Sequence, residues 1–263
     1  MRKRKEEKMR IIISPAKKMK IDLDTLEFHD RPLFLEKTKE IKKWLLERSY
    51  EELKQLWGCN DKITLQNVER LRELDVEKNL TPAILSYEGI QYQYMAPAVF
   101  EKEMLFYIEK NLRILSGFYG ILRPMDGVIP YRLEMQAKAL INNKANLYSY
   151  WGDSLYKEVR DESGIIINLA STEYSKCIEK YLTEKDCFIT CVFGELVKGK
   201  IVQKGTYAKM ARGEMVRFMA ENKIEKPEDI KKFRRLNFKF LEEASTEKEY
   251  VFLRETQKEE AND

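Results

Sequence analysis

Short apolar runs of strand length alternate with amphipathic stretches of helix length along this chain, and that alternation constrains its fold more than any other feature. Met9-Arg10-Ile11-Ile12-Ile13-Ser14 reads as a short buried strand, bounded by Pro15. Leu112–Ser116, Ile165–Leu169 and Cys187–Phe193 repeat the pattern, and Thr81–Tyr87, Lys200–Lys204 and Tyr250–Arg254 supply further strands. Between them, Phe34, Ile41, Leu45 and Leu46 mark an amphipathic helix ending near Arg48, and Ser49 with Glu52 forms the capping box of the next. Further helices are expected over Glu101–Asn111, Leu147–Asp161, Thr172–Tyr181 and Tyr207–Asn222, and Pro227 opens a short one. Strands interleaved with helices in this way predict an α/β fold, a mixed sheet with surrounding helices.

A chain of 263 residues can close around one core, so one domain is expected over residues 9–254. Residues 1–8 read as a flexible basic extension, which makes Met9 a second candidate start, and residues 255–263 as a flexible polar tail. No apolar run of membrane-spanning length occurs, and Arg2 to Lys5 are not followed by the apolar stretch of a signal peptide. The expectation is a cytoplasmic protein without a membrane partner. Its four cysteines lack the density of a disulfide framework; Cys187 and Cys191 are placed on one face of a buried strand, as packing thiols. With His29 the only histidine, neither a histidine-based metal site nor a Ser-His-Asp triad is expected, and no cofactor.

The net charge of +4 is not a nucleic-acid signal by itself, because the first ten residues carry all of it. Local clustering is more informative, since anion binding depends on the field at a cleft. Between Lys198 and Arg217 six basic residues face one acid, Glu214, whereas the segment from Leu241 onward is acidic. Within that basic segment, Lys209 and Arg212 are three residues apart on one helix face, while Met210, Met215 and Phe218 can pack elsewhere.

Four other segments combine backbone breaks with polar side chains. Ser14-Pro15-Ala16-Lys17-Lys18 lies where the first strand ends, the usual place for a ligand-facing loop in an open α/β sheet, although a solvated turn accounts for it as well. The loop from Gly117 to Met135 holds Arg123 and Arg132 among apolar and aromatic residues, so both arginines are expected to be packed and to need an anion. That anion is either an internal acid, Glu134 or Asp126, or a ligand phosphate. Asn168–Tyr174 passes from strand end to helix start, where Ser171 caps the helix or free N–H groups receive an anion. Finally, Leu56-Trp57-Gly58 ends one helix and another begins at once through Lys62, a turn that can present N–H groups to phosphate. Asn60 stands where such helix-hairpin-helix elements usually carry a second glycine and Asp61 adds a negative charge, so an ordinary helical hairpin remains open.

These segments together resemble the YaaA peroxide-stress family. The resemblance rests on Ser14-Pro15-Ala16-Lys17-Lys18, Leu115 to Pro124 with Pro130 to Met135, Asn168 to Ser171 with Glu173-Tyr174, and Ala208-Lys209 with Ala211-Arg212-Gly213, in order over Met9 to Arg254. It implies a cytoplasmic protein that limits oxidative damage under peroxide stress by keeping free intracellular iron low. It further implies a positively charged cleft and a helix-hairpin-helix element that bind duplex and branched DNA with weak sequence preference, with no reaction attached. Lys17, Arg123, Arg132, Lys209 and Arg212 then become candidates to line the cleft, with Gly58 and Lys62 at the hairpin. The alternative is an enzyme acting on a nucleotide-like or phosphorylated substrate in the same cleft, with Glu134 or Glu173 transferring protons. Direct iron sequestration finds no ligand set in the sequence, and the oligomeric state is left open.

Overall fold

The computed structural model describes residues 9–255; the expected basic extension, and all of the polar tail beyond Glu255, lie outside the described residues. The chain opens with β1 (Arg10–Ile13) and a two-residue β2 (Lys18–Met19), followed by three helices, α1 (Leu35–Leu46), α2 (Tyr50–Trp57) and α3 (Asp61–Glu73). Next come β3 (Thr81–Pro82), α4 (Ala83–Ser86), β4 (Tyr87–Glu88), α5 (Ile90–Met95) and α6 (Lys102–Asn111). The middle holds β5 (Leu112–Ser116), β6 (Gly120–Leu122), β7 (Gly127–Val128), α7 (Leu147–Trp151) and α8 (Ser154–Val159). The last third comprises β8 (Ile165–Leu169), α9 (Thr172–Glu179), β9 (Cys187–Val197), β10 (Lys200–Val202), α10 (Gly205–Glu221), α11 (Pro227–Ile230), β11 (Phe238–Phe240) and β12 (Glu249–Arg254).

The expected α/β fold with a mixed sheet is what forms. Eight strands make one sheet in the order β11-β12-β9-β8-β1-β5-β6, with β10 paired to β9 beside that path. The contacts of β1 with β5 and β8, of β8 with β9 and of β9 with β12 are parallel, whereas β6 and β11 run antiparallel to their neighbours. Ile11, Ile12 and Ile13 are fully buried, as befits a central parallel strand covered on both faces.

Four readings depart from expectation. Thr81–Tyr87 is not one strand, because Pro82 has no N–H to continue a ladder and the next two N–H groups donate to the carbonyls of Asp126 and Pro124, both at 2.9 Å, as a helical turn begins. The helix expected over Leu147–Asp161 is two, divided where Gly152 takes φ 56° and ψ −138°. Cys191 is buried as expected, but Cys187 is the first residue of β9 and is exposed, so it is not a packing thiol. The segment after Gly117 is more ordered than a loop, since it contributes β6 and β7.

The hairpin of α2 and α3 follows its sequence signals. Ser49 accepts the Glu52 N–H and Glu52 accepts the Ser49 N–H, closing both halves of the capping box. Gly58 ends α2 in the left-handed region with φ 56°, and Asn60 caps α3 by accepting the Ile63 N–H at 3.0 Å.

Candidate functional site

Strand order decides where a ligand can enter this sheet. From β1 the sheet extends through β5 and β6 on one side; from β8 it extends through β9, β12 and β11 on the other. At the junction of β1 and β8 the winding reverses, and the chain segments leaving the carboxyl ends of those strands diverge to leave a crevice. Those ends are joined by a short bond, the Ser171 N–H donating to Ser14 Oγ at 2.8 Å, with the two hydroxyl oxygens 3.2 Å apart. Ser171 makes no side-chain cap to α9, so the capping role suggested by its position is not the one it takes.

A cavity of about 410 Å³ opens above the two serines. Four of the five cations expected to converge line it: Lys17 from the loop after β1, Arg132 from the segment after β7, and Lys209 and Arg212 from α10. Arg123 does not. Because β6 runs back antiparallel to β5, the residue that follows it emerges at the opposite end of the strands, near the starts of β1 and β5, in a separate cavity of about 580 Å³ shared with Arg10 and Arg113. There its exposed guanidinium stands 3.8 Å from Asp30 and 3.7 Å from Glu158, and its backbone N–H donates to Asp126 Oδ2 at 2.8 Å.

The four cations at the switch point are not equivalent. Arg132 lies 2.8 Å from Glu134 Oε1 and Lys17 3.2 Å from the same oxygen, so the internal acid foreseen for Arg132 is Glu134. Lys209 is exposed at the rim. Arg212 is half-buried, its Nε has no acceptor, and it has no counter-ion among the described residues; burial lowers its pKa, because the charged form is the one that loses water. Next to it, on α5, Gln91 is 7% exposed and its Nε2 also lacks an acceptor. The two helices meet this closely because Gly213 sits at their crossing, where a β-carbon would collide with the Gln91 carbonyl oxygen.

Acids and tyrosines complete the wall. Burial raises the pKa of Glu173; the Gln136 N–H, donating to it at 3.3 Å, works the other way, and the nearby Glu134 charge adds to the rise. Tyr131 shares its hydroxyl with Ser116 at 2.6 Å and with Tyr87 at 2.9 Å, and burial pushes its pKa up to about 12, so it stays a neutral donor. Tyr92 donates to the Ser14 carbonyl at 2.9 Å, fixing the start of the Ser14–Lys18 loop. The arrangement can hold an anion on Arg212 and Lys209 while presenting, in Glu173, a carboxyl inclined to keep its proton.

The hairpin borders a second cavity of about 670 Å³, which shares Lys17 and Glu134 with the first. Gly58 lines it, together with Trp44, Arg48, Lys138 and Leu140, and the Arg48 guanidinium stacks 4.9 Å from the Trp44 ring centre. Lys62 is exposed in the first turn of α3 and lines neither cavity. The Asp61 charge is partly offset, since Lys54 lies 2.8 Å from it and the Tyr50 hydroxyl donates to it at 2.7 Å.

Sequence reading overlooked Gln91 and Tyr92 because α5 was not foreseen, although Gly89 and Pro97 bracket a helix-length segment there. Trp44 and Arg48 carried no signal beyond helical periodicity. Among the described residues no cluster of three or more histidine, cysteine or acidic side chains is placed to hold a metal ion, and no helix is long and apolar enough to cross a membrane.

The family model of peroxide stress protein YaaA matches residues 9–244. This chain belongs to that family. Its relatives include a UPF0246 protein of Agathobacter rectalis, 60% identical over 246 residues that make up 94% of this chain and 99% of the relative. A UPF0246 protein of Lachnoclostridium phytofermentans is 55% identical over 94% of this chain and 96% of its own length. One from Limosilactobacillus reuteri is 50% identical over 93% and 98%. The cavity above Ser14 and Ser171 therefore belongs to a peroxide-stress fold, and every segment that lines it falls within the matched residues.

Proposed function

We propose that this YaaA-family chain acts in peroxide stress, in the cytoplasm, by binding DNA through phosphate contacts anchored at the switch-point cavity. The observation that carries the reading is Arg212. A half-buried guanidinium whose Nε is closed off from water and which has no counter-ion among the described residues is unfavourable in the free protein, and a phosphate oxygen supplies the charge-assisted partner it lacks. Lys209 at the rim, and Arg48 and Lys138 along the adjoining groove, extend the same chemistry toward the hairpin at Gly58. Contacts of this kind fix the position of a strand without reading its sequence. They also release condensed cations from the phosphates, so affinity falls as salt rises.

The test is duplex affinity against salt concentration. Log affinity should fall linearly with log salt, and Lys209→Ala and Lys138→Ala should each reduce the slope by about one unit. A flat salt dependence, or a strong preference for one base sequence, would refute phosphate-led binding.

A second reading, an enzyme acting on a nucleotide-like or phosphorylated substrate, is favoured by the size of the cavity. About 410 Å³ is the scale of a small-ligand site and not of a duplex. Glu173, whose pKa burial raises, is a candidate proton donor in this wall, and Glu134 beside it is ion-paired with Arg132 and Lys17. Competition separates the two readings: on the enzyme reading a free mononucleotide displaces bound ligand and is turned over, whereas a duplex does not compete.

A further inference from the structure

Two observations at the switch point do not fit a bare phosphate. The first is volume, since about 410 Å³ exceeds what one phosphate fills and is too little for a duplex. The second is the pattern of unpartnered polar atoms. Besides Arg212 Nε, the Gln91 side-chain amide is more than nine-tenths buried with Nε2 unsatisfied, and Arg132 Nε has no acceptor. All three belong to residues that line the same cavity, and lie just behind its surface. Buried donors without acceptors are uncommon in folded proteins, and three around one space call for a ligand with acceptors at several positions. A nucleotide has them: phosphate oxygens, sugar oxygens, and ring nitrogens and carbonyls on the base. The tyrosines of the wall, Tyr92, Tyr131 and Tyr174, supply the apolar surface against which a base can lie.

The adjoining groove supplies a route. It meets the cavity at Lys17 and Glu134, and it carries a flat cationic platform, Arg48 on Trp44, of the kind on which nucleic-acid bases stack. Duplex backbone can lie along this groove, but only a nucleotide freed from its pair can leave the stack and enter the cavity.

We propose that the switch-point cavity is a site for a single unpaired nucleotide of a DNA strand, with its phosphate on Arg212 and Lys209 and its base against Tyr131 within reach of the Gln91 amide. The proposal rests on the DNA-binding reading above and adds to it what enters the cavity. Entry costs less where pairing is already lost, so mismatched or gapped DNA is preferred over perfect duplex.

The test uses two short duplexes that differ only in the base opposite one 2-aminopurine, a thymine in the first and a mismatched cytosine in the second. Stacking quenches 2-aminopurine emission, so extraction from the helix appears as a rise. With the full-length protein the mismatched duplex should brighten and the matched one change far less. Arg212→Met should weaken binding of the mismatched duplex about tenfold or more, the loss expected for one charge-assisted phosphate contact. Gln91→Met, which keeps the volume, should abolish the rise while leaving most of the affinity. If both duplexes bind equally without brightening, the cavity does not take a nucleotide, although the phosphate-led reading stands. If brightening survives in both variants, the nucleotide goes elsewhere and the assignment is wrong. If neither duplex binds at any salt concentration, the DNA-binding reading falls and this one with it.

Discussion

Replacing Arg212 with methionine should make the free protein more stable and at the same time deprive it of its anion site. The guanidinium is half-buried on α10 and has no counter-ion among the described residues. Partly stripping an ion of water costs a fraction of the several kcal/mol of full burial, and here no internal pair offsets it. Methionine fills similar space, bends to fit an irregular wall and carries no charge. Allowing for imperfect packing of the new side chain, the net gain should be about 1–2 kcal/mol. For a chain of this size that corresponds to a rise in melting temperature of roughly 2–8 °C. Added inorganic phosphate should change the comparison, because a ligand that binds only the folded protein stabilises it by about 2.7 kcal/mol at one hundred times its dissociation constant. Wild type should gain this and the variant should not. Phosphate also strengthens apolar burial in any protein, so the informative quantity is the difference between the two proteins as phosphate is raised. Thermal melting by circular dichroism measures it. A variant that melts several degrees below wild type, with the same phosphate response, would mean that Arg212 has an internal partner and that the argument from its isolation is wrong.

Gly213→Ala should destabilise the chain by about 3 kcal/mol or more, since its new methyl meets the Gln91 backbone and not a flexible side-chain end, and chemical denaturation will show whether it does. Stability should fall as pH rises from about 4 toward 7 through Asp126, whose pKa burial raises to about 7 even though it accepts the Arg123 N–H. The folded state then binds a proton that the unfolded state has released, a slope of up to about 1.4 kcal/mol per pH unit, and Asp126→Asn should flatten it in urea titrations. At the hairpin, Lys62→Ala should lower duplex affinity by up to about tenfold if it meets phosphate. Gly58→Val puts a β-branched residue at φ 56° with open space around it, so it should lower affinity and cost about 1–2 kcal/mol of stability. Unchanged affinity in both folded variants would leave the hairpin as scaffold.

What the sequence made legible was local, and what it concealed depended on strand direction. Lys209 and Arg212 could be paired because three residues along a helix return to one face, and Lys17 because ligand loops follow the carboxyl ends of parallel strands. Arg123 had equally good local credentials, set in a glycine- and proline-rich loop near Arg132 that read as packed, although its side chain is exposed. Nothing in its neighbourhood says that β6 turns back against β5, and that reversal sends it to the opposite end of the strands. Gln91 was hidden for a different reason: its role arises from the crossing of α5 with α10, which depends on a glycine more than a hundred residues downstream. The eight-stranded order, and with it the position of the crevice, likewise lies in long-range pairing that no window of sequence contains.

The bond between Ser14 and Ser171 spans 157 residues of chain. It acts as a seam between the half of the sheet built around β1, β5 and β6 and the half built outward from β8. A ligand seated above it would touch the Ser14–Lys18 loop, α5 and α10 at once, adding to the contacts that already join them, the Tyr92–Ser14 bond and the α5–α10 crossing. The slowest-exchanging amides at the carboxyl ends of β1 and β8 would then report occupancy directly, because opening the seam would require the ligand to leave first. Occupancy and local opening at the carboxyl ends of β1 and β8 are thus coupled, on top of the backbone ladder that joins the two strands.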